Sequence, residues 1–135
     1  MKRIRCCALP TRSGAWLLIA LAGAAIAGGM PATAADAVSD CDRLAANPVD
    51  PARAAPGVAW RHLDAAAAVE ACQRAIAAAP ASPRIQYQYA RSLDKAQNYA
   101  EALKWHRKAA DQGYAPALAS LGWTYETGSG VAKDD

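Results

Sequence analysis

The side chains with most chemistry to offer are four cysteines, Cys6, Cys7, Cys41 and Cys72, and two histidines, His62 and His106. Thiol catalysis or metal binding asks for sulfurs grouped as CxxC or joined by a nearby histidine pair, and the sequence has neither grouping. His62 stands two residues before Asp64, at the start of a helical pattern, where a turn residue is a simpler reading than an acid-base dyad. His106 keeps step with Tyr99, Ala102, Leu103, Ala109 and Ala110, a spacing that places it on one helical face, so it reads as packing rather than as a general base. Nucleophile elbows, phosphate loops and paired-histidine motifs are missing from the sequence. The expectation is no catalytic residue, no metal site and no cofactor.

What the cysteines do depends on compartment. Lys2, Arg3, Arg5 and Arg12 form a basic head, followed by an apolar run over 15–30 that ends in Ala32, Thr33 and Ala34. Small residues at the first and third of those last positions fit signal-peptidase cleavage after Ala34, giving a signal peptide over 1–34 and a mature chain from Ala35. The run is rich in alanine and glycine and broken by Gly28, Gly29 and Pro31, so it falls short of the roughly 20 strongly apolar residues of a stable membrane span. The residues before Cys41, Ala-Val-Ser-Asp, do not form a lipid-attachment signal. Cys6 and Cys7 leave with the leader. Cys41 and Cys72 remain in a chain bound for the periplasm or beyond, where an intrachain disulfide is the expected pairing.

Cleavage also changes the charge. The leader holds four of the fifteen basic residues and none of the twelve acidic ones, which leaves eleven against twelve, a net −1. A domain so close to neutral, with no basic run, has no electrostatic footprint for nucleic acid or an anionic membrane. Neither partner is expected.

About 100 mature residues suit one domain. Segment 35–63 is read as irregular, because Asn47-Pro48, Asp50-Pro51 and Ala55-Pro56-Gly57 are turn signals, although it leaves room for a short helix over 39–46. Asp64 then caps a helix to about Ala79, with Glu70 and Arg74 placed for a helical ion pair and Pro80 as the stop. Ser82 and Pro83 restart the chain as N-cap and first helical residue, and Ile85, Tyr89, Leu93 and Ala96 mark a buried stripe to about Gln97. In 98–130, Asn98 with Glu101 is placed for a capping box, Gly113 for a left-handed stop, and Pro116 for the first turn of a last helix. Leu118, Leu121, Gly122 and Tyr125 share a side of that helix, where Gly122 is expected to let a neighbouring helix approach closely.

Setting Ala68, Val69, Cys72 and Ala75 over Ala102, Leu103, His106 and Ala109 gives a constant offset of 34, the tetratricopeptide interval. From residue 98 on, the chain resembles the Sel-like repeat, a relative of the tetratricopeptide repeat. Ala102, Trp105, Lys108, Ala109, Ala110 and Gly113 match AxxWxxKAAxxG. Ala117, Leu121, Gly122, Tyr125, Gly128, Gly130, Val131 and Asp134 match the next opening, AxxxLGxxYxxGxGVxxD. Segment 64–97 matches only the looser tetratricopeptide pattern. The resemblance implies an all-α fold of antiparallel helix hairpins stacked as a short right-handed solenoid, with Tyr99, Ala102, Ala109, Leu121 and Gly122 as repeat-packing positions. It also implies a Sel-like region over 98–135 that stops inside its last repeat, with Trp123 and Tyr125 more exposed than in a full array.

Proteins of this kind act as adaptors or regulators, so the expected function is an exported, non-catalytic interaction module for a protein or peptide. Trp105, Trp123 and Tyr125 are the candidate anchors, and the C-terminal helix is open to self-association. Two other readings stand beside it: an enzyme that binds or cleaves β-lactams, as proposed for cysteine-rich relatives, and a non-functional gene fragment.

Overall fold

A computed structural model describes residues 33–131. The expected leader lies outside them except for Thr33 and Ala34, as do Cys6, Cys7 and Asp134. The described residues form five helices and no strand: α1 Ala34–Ala45, α2 Ala65–Ala78, α3 Pro83–Lys95, α4 Tyr99–Ala110 and α5 Ala115–Thr127. A 3-10 turn, Trp60–His62, interrupts the long connection between α1 and α2.

Local chemistry sets most of the boundaries. The Asp64 carboxylate accepts from the Ala67 amide at 3.1 Å to open α2, and the Ser82 hydroxyl accepts from Ile85 at 3.4 Å to open α3, with Pro83 first in the helix. Glu70 and Arg74 pair at 2.7 Å on α2. Helix α1 starts five residues earlier than expected, because Thr33 and Asp36 form a reciprocal capping box. Asn98, by contrast, makes no side-chain cap on α4. Its backbone, at φ −89° and ψ 63°, is not the extended form that aims a cap at the first turn, and Glu101 binds Lys104 Nζ at 2.8 Å and Trp105 Nε1 at 3.1 Å instead. Gly113 closes α4 with φ +77°, leaving the Tyr114 amide to donate to Ala109 at 3.1 Å.

Successive helices pack on one another, and α1 also reaches α3. Cys41 and Cys72 are joined as a disulfide, S–S 2.06 Å, which ties α1 to α2 within a core of Ala45, Leu63, Ala68, Ala75 and Ile85. Beside it the Gln88 amide oxygen lies 3.3 Å from Cys41 Sγ. A disulfide sulfur has no proton to donate, so the Gln88 orientation that forms a bond there is the one with Nε2 turned toward the sulfur. A second, smaller cluster joins Tyr87, Ala109 and Ala117. Ala68, Cys72 and Ala75 on α2 and Ala102, His106 and Ala109 on α4 are all buried.

Two expected packing positions turn outward. Tyr99 is 38% exposed, and Gly122 is exposed with nothing within 4 Å of where a β-carbon would stand. The face that α5 buries carries Ala117 and Thr124, which puts Gly122 roughly 140° and 160° away around the helix. Leu121 is half-buried, and Ala96, expected on the stripe of α3, lies past its end and is exposed. No described helix is long and apolar enough to cross a membrane.

Candidate functional site

Tyr87, Arg91 and Asp94 recur at four- and three-residue steps, so they share one face of α3. Pro116, Ala119, Ser120 and Trp123 do the same on α5. Between these faces and the connection before α2 lies a cavity of about 820 Å³, which also takes in Val49, Trp60 and Tyr99. Small residues on α5 leave the volume open, while Trp60 and Trp123, 49% and 66% exposed, supply broad apolar walls.

The connection between α1 and α2 is held as a wall by polar ties. Arg91 Nη1 donates to the carbonyls of Ala45 at 2.9 Å and Ala46 at 3.4 Å, and Nη2 donates to Val58 at 2.6 Å. Burial away from water lowers the Arg91 pKa from its usual value, and no carboxylate forms a salt bridge with it among the described residues to offset that. Asp50, almost wholly buried, accepts from the Ala52 amide at 2.9 Å and from the Tyr114 hydroxyl at the head of α5. Burial first, then the Asp50 hydrogen bond and charge, push the Tyr114 pKa well above its usual range. Asn47 Nδ2 completes the set by donating to the Tyr87 hydroxyl at 2.7 Å.

Asp94 differs from Asp50 in what it leaves free. Its Oδ2 is 2.7 Å from His106 Nε2, but its Oδ1 has no hydrogen-bond partner among the described residues, and the side chain stays 26% exposed on the cavity wall. His106 is buried against Tyr87, ring centroids 5.7 Å apart, with Nδ1 unpartnered. The histidine is thus a core residue that fixes the orientation of a cavity carboxylate. His62 is exposed and accepts from Arg61 Nε at 3.0 Å. Among the described residues, no three His, Cys, Asp or Glu side chains are grouped to hold a metal ion.

Of the three candidate anchors, Trp123 lines the cavity, whereas Trp105 and Tyr125 do not. Trp105 packs edge-on against Tyr89 at 5.4 Å with Lys108 Nζ 3.8 Å from its ring centre. Tyr125 is half-buried, with Arg107 over its ring at 6.0 Å and donating to its hydroxyl at 2.7 Å. Trp60, Tyr87, Arg91 and Asp94 were not among the expected site residues. Their sequence signal was the spacing from Tyr87 to Asp94 and a tryptophan in a stretch with no helical stripe to absorb it. Gly130 has φ +76°, and a β-carbon there would stand 2.6 Å from Tyr99 Cβ, so glycine is what lets the chain pass this close to Tyr99 on the cavity wall. No family model, curated protein or solved structure matches this chain.

Proposed function

We propose that this chain is an exported protein-interaction module of the Sel-like and tetratricopeptide type, whose groove between α3 and α5 receives a segment of a protein partner. The observation that carries the reading is the cavity itself: about 820 Å³, with exposed aromatic side chains on walls that polar ties hold in place. Support for a solenoid comes from α2 and α4, whose first residues, Ala65 and Tyr99, keep the 34-residue interval and whose matching pairs Ala68 and Ala102, Cys72 and His106, and Ala75 and Ala109 are buried. Export is supported by the leader composition and by the disulfide, a bond that persists in oxidising compartments. Cleavage after Ala34 would remove the Thr33 cap and leave Asp36 in the first turn of α1, where its charge favours the helix.

Selection of random dodecapeptides displayed on phage tests the groove. Peptides that bind the protein and lose binding to both Trp60→Ala and Trp123→Ala are the expected result. Failure to enrich any peptide, or binding indifferent to both changes, overturns the reading. N-terminal sequencing of the protein from producing cells should find Ala35 first; retention of Met1 would refute cleavage.

A further inference from the structure

We infer that the groove selects a segment carrying one basic side chain, lysine or arginine, between apolar neighbours, with Asp94 as its acceptor. The inference rests on the groove being a peptide site. It starts from how this protein treats its other exposed or half-exposed aromatic rings. Trp105 is covered by Lys108, Tyr125 by Arg107, and Trp60 by Lys95 and Arg91 at 5.2 and 5.8 Å. Each of these rings meets a cation of its own chain, and the half-buried Tyr89 and Tyr114 meet another ring, Trp105 and Tyr87 respectively. Tyr99 and Trp123 have no such cation and no ring partner among the described residues, and both line the cavity that holds Asp94.

The charged groups of the groove point the same way. Arg91 is buried and spends its guanidinium on three carbonyls, so an incoming anion would have to reach past the wall it supports. Asp50 has one oxygen on the Ala52 amide and the other on Tyr114. Asp94 alone keeps an unpaired oxygen at the cavity surface, and His106 holds the opposite oxygen from the core side. A lysine or arginine entering there gains a charge-assisted hydrogen bond and bare aromatic faces for its stem and head group. An acidic residue at the same place is repelled by the Asp94 carboxylate, and a neutral one gains no charge pairing with it.

The test uses fluorescein-labelled dodecapeptides of one apolar sequence, taken from the phage selection, with lysine, arginine, Nε-acetyl-lysine or glutamate at the central position. Fluorescence anisotropy on the wild-type protein should give the lysine and arginine forms about tenfold tighter binding than the acetylated form, with glutamate weakest. Asp94→Asn should keep the affinity for the acetyl-lysine peptide and lose the preference for lysine, an outcome that a merely unfolded variant would not produce. Trp123→Ala should weaken all four. Equal binding of the four peptides, or a preference for glutamate, overturns the inference and leaves the peptide groove standing. No binding by any of them overturns both. Sedimentation that shows a dimer dissolved by Trp123→Ala would place a second copy in the groove, and that too overturns it.

Discussion

The two ends of the described helices are held by different chemistry. At the α1 and α2 end, Cys41, Ala45, Leu63, Ala68, Cys72, Ala75 and Ile85 form an apolar cluster closed by a covalent bond. At the α4 and α5 end the cluster shrinks to Tyr87, Ala109 and Ala117, and cohesion comes from directed polar contacts: His106 to Asp94, Tyr114 to Asp50, Gln112 to Gln86 and Arg107 to Tyr125. Helix α5 buries only Ala117 and Thr124, while Leu118 and Trp123 stay 52% and 66% exposed. Non-directional burial can hold helices together without shaping a cavity, whereas hydrogen bonds between distant elements keep walls apart at fixed positions. The proposed groove therefore lies at the polar end.

The largest expected effect tests the covalent end. Cys41 and Cys72 are 31 residues apart, and replacing both by serine should cost about 3 to 4 kcal/mol through the freed entropy of the unfolded loop. Chemical denaturation should show the unfolding free energy falling by that amount; a loss below about 1 kcal/mol would mean that apolar packing alone secures α1 on α2.

Arg91→Met comes next, at about 2 to 3 kcal/mol, since it strands the carbonyls of Ala45 and Val58, while that of Ala46 keeps the Val58 amide. Hydrogen exchange should rise first in 46–58, with the amides of α2 little changed. Uniform exchange across all helices would show that the two ends are not separable.

A smaller effect concerns Tyr114. Its folded pKa is raised above the ordinary 10.0, so the stability it contributes is fully present below that value and is lost as pH rises toward the folded pKa. Thermal unfolding temperatures of wild-type protein should fall in alkaline solution above pH 10, and Tyr114→Phe should flatten that fall. An unchanged alkaline profile in the variant would remove Tyr114 from the account of how α5 is anchored.

Gly122→Ala carries the smallest effect and runs the other way. Nothing lies within 4 Å of the added methyl, so the gain in helix propensity should show as up to about 1 kcal/mol of added stability. Destabilisation in the same denaturation assay would mean that some surface packs closely on that side of α5.

Much of this was legible because it is local. Asp64 and Ser82 start helices through hydrogen bonds to amides three residues away, and Gly113 ends one through its own freedom at positive φ. The pairing of Cys41 with Cys72 needed only their number and the export expected from the leader composition. Asn98 shows the limit: its residue type is right for a cap, but the approach angle of the chain is set by the packing of α3 and α4, and the side chain is left aimed elsewhere.

What the tertiary structure alone decided is which side of each helix meets which neighbour. A stripe of small and apolar residues states that a helix has an inner face, without saying how wide that face is or where a partner is absent. Tyr99 and Gly122 sat on such stripes and turned outward, while Trp60 had no stripe at all and became a wall of the cavity. The tie from Tyr114 to Asp50 spans 64 residues and that from Arg91 to Ala45 spans 46. Contacts of that separation leave no period in the sequence, because they depend on where the folded helices carry their ends.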